Sequence, residues 1–255
     1  MSAHKTNGNP AREPVSGVWF KEWFNQDYLL VYPHRDQSEA DAQVSSALSM
    51  LATLGIEPGG RVLDLGCGTG RHSKALHQAK FEVVGIDLSI DLLKKATLVN
   101  PRAVSFARCD IRHLPFRDSS FDLLSCFFTS FGYFATDTEH CATLREWRRV
   151  ICSSGALFLD LPDRELTLSC LCPRTERNLP NGESVIECRT LSEDGLRLNK
   201  TIAIHGARGV RSYQESIRLF HEAEISTLMN EAGYSAVLRV AADKAFEGRM
   251  VMVGR

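Results

Sequence analysis

The chain has 255 residues, 44% of them hydrophobic, with eight cysteines and a formal net charge of -1. That length is enough for one large domain with insertions, and the near-zero charge excludes a general field that would gather nucleic acid. No apolar run is long enough to span a bilayer and the N-terminus lacks a signal-peptide core, so a cytoplasmic protein with free thiols and no membrane partner is expected.

Residues 1–17 are polar, carry Pro10 and Pro14, and are predicted to be a disordered leader, with one domain over 18–255. Trp19, Phe20, Trp23 and Phe24 repeat at helical spacing and run on into Tyr28 and Tyr32, which predicts an aromatic stripe on one short helix and its exit. A second helix is predicted from Ser38 to Leu54.

The run Val62-Leu63-Asp64-Leu65 then reads as a short strand buried on both faces. It ends in Gly66-Cys67-Gly68-Thr69-Gly70, where alternate glycines permit a sharp turn and close approach of the backbone to a bound molecule. A helix follows near 70–79, and its free N–H groups face whatever the loop holds. A dinucleotide fingerprint counted from Gly66 requires glycine at position 71, which here is Arg71. Asp64 would repel a pyrophosphate and attract an ammonium group. These features favour a ligand that combines an amine, a carboxylate and adenosine.

Further strands are predicted near 81–86, 103–107, 121–126 and 155–161, with helices near 89–99 and 137–150: a Rossmann-like, doubly wound α/β pattern that places a ligand at the C-terminal edge of its strands. Asp87 ends the second strand where a carboxylate can take both ribose hydroxyls, although it could instead cap the next helix, as could Ser89. From 163 to 221 the pattern turns antiparallel, with segments 184–191, 196–205 and 210–220 and a hairpin signal at Glu193-Asp194-Gly195. A helix near 222–232 ending at Gly233 and strands near 235–241 and 249–253 complete a mostly parallel seven-stranded sheet.

The run Asp64 to Gly70 closely resembles the first motif of the class I S-adenosylmethionine-dependent methyltransferases. The segments Glu82 to Ser89, Cys109 to Phe116 and Phe121 to Cys126 resemble the later motifs in order. The resemblance implies S-adenosyl-L-methionine as cofactor and S-adenosyl-L-homocysteine as product. It implies a binding set of Asp64, Gly66, Cys67, Gly68, Gly70, Asp87, Leu88, Asp110, Ile111 and Phe127, in which the Asp110 side chain takes the adenine amino group and the Ile111 backbone reaches the ring. It also implies that 18–58 forms a helical lid, against the alternative that the stripe only packs on the sheet. The 163–221 insertion, with the segment Phe127 to Phe134, is expected to enclose a small acceptor, or else to be a dimer surface.

Methyl transfer by in-line displacement needs alignment and exclusion of water more than a covalent residue. The expected acceptor is a small molecule attacking through nitrogen or oxygen, and the expected state is monomer or homodimer. A hydroxyl acceptor would call for a general base. His221, at the return from the insertion, and Tyr133 are candidate catalytic residues; His113 and His140 are further histidines near the site, and Arg35 or Arg71 could bind a carboxylate. No metal and no disulfide is assigned, since the spacing of Cys170, Cys172 and Cys188 is not that of common zinc motifs. The loop after the fourth strand, Ser125-Cys126-Phe127-Phe128, lacks the Asn/Asp-Pro-Pro-aromatic pattern of enzymes acting on nucleic-acid bases. An NAD-dependent oxidoreductase on the same sheet and a catalytically inactive cofactor-binding regulator are the alternatives.

Overall fold

A computed structural model describes residues 17–33, 35–55, 60–100 and 104–255. The predicted leader lies outside the described residues apart from Gly17. In chain order the elements are α1 (Phe20–Trp23), α2 (Gln26–Val31), α3 (Gln37–Thr53), β1 (Arg61–Leu65), α4 (Arg71–Gln78), β2 (Glu82–Asp87), α5 (Ile90–Val99), β3 (Ser105–Arg108), β4 (Phe121–Cys126), α6 (Asp137–Val150), β5 (Ile151–Pro162), α7 (Arg164–Ser169), β6 (Arg174–Asn178), β7 (Ser184–Leu191), β8 (Arg197–Gly206), β9 (Gly209–Arg218), α8 (Glu222–Glu231), β10 (Val237–Val240) and β11 (Arg249–Gly254).

The main sheet runs β10-β11-β5-β4-β1-β2-β3. Strands β1 to β5 pair in parallel, and β11 pairs antiparallel with both β5 and β10. β1 lies between β2 and β4, so the chain leaves it in opposite directions and opens a crevice at its C-terminal end. Its alternate residues are buried on opposite faces: Leu63 and Leu65 join Leu124, Leu157 and Trp147 under α6 and α8, while Val62 joins Val83, Leu123 and Phe158 under α3 and α4. That double burial is why the strand reads as an unbroken apolar run around one acid.

The insertion forms a separate antiparallel sheet, β6-β7-β8-β9, and its β7–β8 turn carries Gly195 at φ +68°, as the hairpin signal requires. Three local expectations are corrected. The aromatic stripe is split into α1 and α2, because the Asn25 side chain accepts a hydrogen bond from Asp27 N and caps a new helix. α7 was missed: Asp163 caps it through Leu166 N, but none of its residues is buried, so it lacks an apolar period. β6 was missed because Arg-Thr-Glu-Arg-Asn on a sheet edge carries no hydrophobic alternation. No described helix is long and apolar enough to cross a membrane.

A third cluster joins the lid to the insertion. Trp19, Phe20, Trp23 and Val31 pack against Val185, Ile202 and Ile204. Trp23 Nε1 donates to Glu215 (2.6 Å), the Tyr32 hydroxyl to Glu187 (2.7 Å), and Arg211 pairs with Asp27 (2.7 Å). Complete burial of Trp23 makes its removal worth about 3–5 kcal/mol.

Candidate active site

The crevice at the end of β1 is a cavity of about 1170 Å3, counting its open mouth. Gly66 (φ +64°), Gly68 (+56°) and Gly70 (+75°) all take left-handed backbone at its floor, but for different reasons. A Cβ on Gly66 would run into the Ser130 hydroxyl. One on Gly68 would meet nothing closer than Leu92 at 3.9 Å, so its missing side chain leaves space in the cavity itself. Gly70 is a correction: it does not line the cavity, and its Cβ would meet Phe106 at 2.7 Å and Asn100 at 3.0 Å, so glycine here serves packing at the start of α4.

Asp64 is a second correction. It is buried away from the cavity, where Oδ2 accepts from Ser73 Oγ (2.5 Å) and Oδ1 from Ser125 Oγ (3.1 Å), tying β1 to α4 and β4. Burial pushes its carboxyl up to about 6. Asp87 does line the cavity, with Oδ2 accepting from Gly68 N (2.9 Å) and Oδ1 from Ser89 N (2.7 Å). Burial raises its pKa against those backbone hydrogen bonds. Ser89 caps α5 through Leu92 N (3.2 Å), which leaves Asp87 without a capping task. Asp110 also lines the cavity; burial pushes its carboxyl up, but two bonds from the Arg112 guanidinium, at 3.0 and 2.8 Å, bring it below its ordinary value. Cys67, Leu88, Ile111 and Phe127 complete the cavity-lining part of the expected set.

The opposite wall is the segment after β4. Phe127 stacks on His72 with ring centres 4.4 Å apart, and His72 Nε2 lies 2.7 Å from Gln43 Oε1. Burial lowers the His72 pKa to about 3, so the ring is neutral. Phe128 (φ +56°) and Thr129 (φ +65°) then take left-handed backbone that non-glycine residues rarely adopt. A network holds them there: Phe128 N donates to Asp160 Oδ2 (2.8 Å), while Arg249 donates to Asp160 Oδ1 (2.6 Å) and to Thr129 Oγ1 (2.7 Å). Beyond it, the Tyr133 ring lines the cavity beneath Trp19 (4.7 Å), Phe24 (5.8 Å) and Phe20 (6.1 Å) of the lid. Burial drives its phenol far above the ordinary range and keeps it protonated.

His221 is a third correction. Its side chain is 53% exposed beside Glu165, its backbone N–H bonds Glu224 at the start of α8, and it does not line the cavity. His113 is exposed, and His140 is fully buried behind Phe131 and Phe134. The insertion is a fourth correction, since none of its residues lines the cavity. It acts from behind, through the lid contacts above and by gripping the wall: Arg197 Nη1 donates to Phe134 O (2.9 Å) and Arg218 N to Gly132 O (2.8 Å). Sequence reasoning missed Asp160, Arg249 and His72. The signal for Asp160 was an acid inside the otherwise apolar run 156–161; Arg249 and His72 left none.

Residues 62–155 match the family described as "Methyltransferase domain". The chain is 32% identical over 180 residues to the cypemycin N-terminal methyltransferase of Streptomyces sp, an alignment covering 69% of this chain and 72% of that protein. It spans less than half the length of the next curated relatives it matches. In fold it is similar to the sugar N-methyltransferase KedS8 of Streptoalloteichus sp ATCC 53650 (TM-score 0.67, 18% identity, 99% of this chain and 98% of that one). It is likewise similar to the S-adenosylmethionine-bound amino pentose methyltransferase CalS10 of Micromonospora echinaspora (TM-score 0.64, 21% identity, 95% and 98%).

Proposed function

Since this chain belongs to the class I S-adenosylmethionine-dependent methyltransferases, we propose that it methylates a nitrogen of a small-molecule amine. When bound, the cofactor supplies an electrophilic methyl group on a sulfonium. The residues present suit it: the Gly66–Gly68 backbone borders the space for its amino-acid end, the Asp87 carboxylate is placed for the ribose hydroxyls, and Asp110 with the Ile111 N–H for the adenine edge.

The choice of nitrogen over oxygen rests on one observation. Among the described residues, the acceptor half of the cavity is walled by Phe20, Phe24, Tyr28, Tyr133 and Phe134 and presents neither a carboxylate nor an imidazole of ordinary basicity. A hydroxyl needs a base to take its proton as it attacks, whereas a neutral amine brings its own lone pair. Aromatic faces also favour the cationic ammonium that forms. The walls align the acceptor and exclude water, and the lid α1 to α3 closes over both partners. Two relatives whose names specify N-methylation, at a peptide N-terminus and on a sugar, agree with this reading. We take the acceptor to be a diffusible metabolite rather than nucleic acid, and the enzyme to act in the cytoplasm as a monomer or homodimer.

The test is a panel of amines, phenols and carboxylic acids incubated with protein and S-adenosylmethionine, with S-adenosylhomocysteine release and acceptor mass followed together. Turnover is expected among the amines, increasing with the fraction of neutral amine as pH rises. Turnover confined to phenols or acids would overturn the nitrogen assignment.

A further inference from the structure

Arg35 holds a positive charge on the cavity wall that nothing balances. It lies just before Asp36, the cap of α3, and its guanidinium carbon sits 4.2 Å from the Phe128 ring centre, 4.4 Å from Tyr32 and 5.2 Å from Tyr28. It donates one hydrogen bond to the Tyr28 hydroxyl. Its Nε is buried without a partner, and no carboxylate among the described residues pairs with it. The other cavity cations differ: Arg71 is paired with Glu39 at 2.9 Å, and Lys95 is exposed to solvent. Three aromatic faces steady a cation but do not neutralise it, and an unpaired buried donor costs free energy until an acceptor arrives. A guanidinium so placed fits a carboxylate, which it can take through two parallel bonds.

The position identifies which carboxylate. The residues that follow Arg35 are fastened to the start of α4: Arg71 Nη1 donates to Asp36 O (2.7 Å), and Gln37 Nε2 donates to Arg71 O (3.0 Å). Its ring partner Phe128 adjoins Phe127, which stacks on His72 in that same helix. Arg35 therefore stands at the glycine-loop end of the cavity, whereas Asp87 and Asp110 mark the other. We propose that Arg35 binds the amino-acid carboxylate of the cofactor and that this bond draws the lid down over it; the inference rests on the methyltransferase reading above.

Calorimetry with two thioethers tests it: S-adenosylhomocysteine, and S-adenosyl-3-thiopropylamine, which lacks only the carboxylate. Arg35→Gln should weaken the first about 10- to 100-fold, the range for loss of a charge-assisted hydrogen bond, and leave the second within about twofold. Arg35→Lys, which keeps the charge without the fork, should show a smaller loss with the same selectivity. Equal weakening of both thioethers by both variants would make Arg35 a packing residue of the lid and overturn the proposal. Unchanged S-adenosylhomocysteine affinity would also overturn it, including the case in which only the acceptor KM rises, which would assign the cation to an acidic acceptor. Wild-type protein that binds neither thioether would instead overturn the cofactor reading beneath it.

Discussion

Four acids near the crevice look alike in the sequence and have different fates. Asp64 is consumed by two serine hydroxyls behind the loop, Asp160 by Arg249 and the Phe128 backbone, and only Asp87 and Asp110 reach the cavity wall. Asp87 was legible because it closes a strand at a set distance from the glycine loop. The displacement of Asp64 was not, because it depends on where Ser73 and Ser125 fall once helix and strand are packed. Replacing Asp87 by Ala is expected to weaken S-adenosylhomocysteine binding about 10- to 100-fold, since hydrogen bonds to a charged group are lost. The cost to stability should be about 1–2 kcal/mol, from the freed Gly68 and Ser89 N–H groups. Calorimetry and urea unfolding read the two effects separately, and unchanged affinity would remove Asp87 from the ribose site.

At the scale of elements, the strand-to-loop turns carry the site and β5 and β11 hold them in shape. The left-handed Phe128–Thr129 backbone stays in place because Asp160 and Arg249 reach it from neighbouring antiparallel strands, a pairing that joins residues 89 positions apart. Arg249→Met strands a carboxylate that is 1% exposed, so a loss of about 3–5 kcal/mol is expected. At temperatures where the variant remains folded, kcat should also fall, because Phe127 and Phe128 lose their placement. Thermal unfolding together with kinetics at low temperature checks both, and full activity with reduced stability would limit the pair to a structural role. The helices and strands of the main sheet were legible from apolar period and glycine punctuation. α7 and β6 were not, because neither buries a periodic apolar face.

For the whole molecule, two buried neutral histidines set the acid limit. Burial lowers His72 to about 3 and His140 to about 4, the latter against the pull of Asp137, whereas an unfolded histidine protonates near 6.5. Their contribution is therefore complete above pH 6.5 and is lost as pH falls toward the folded values, each adding up to about 1.4 kcal/mol per pH unit to the slope. Asp64 acts in the opposite sense, since a carboxyl raised to about 6 destabilises the fold as pH rises from 4 to 6. His140→Leu, in a box of Phe131, Phe134 and Phe220, should flatten the fall in stability between pH 6.5 and 4 by about 1.4 kcal/mol per unit; denaturation across that range would show it, and an unchanged slope would refute it. By itself the sequence determined the doubly wound sheet, the glycine turn, the acid at the end of β2 and the cofactor class, because strand period, turn chemistry and short motif spacings are local and survive without knowledge of the partners. Only the tertiary structure decided that the insertion braces the lid instead of lining the cavity, that His221 stays outside, and that Asp160, Arg249 and Arg35 converge on one wall, because those relations come from contacts between residues far apart in the chain, whose geometry exists only after the sheet has formed.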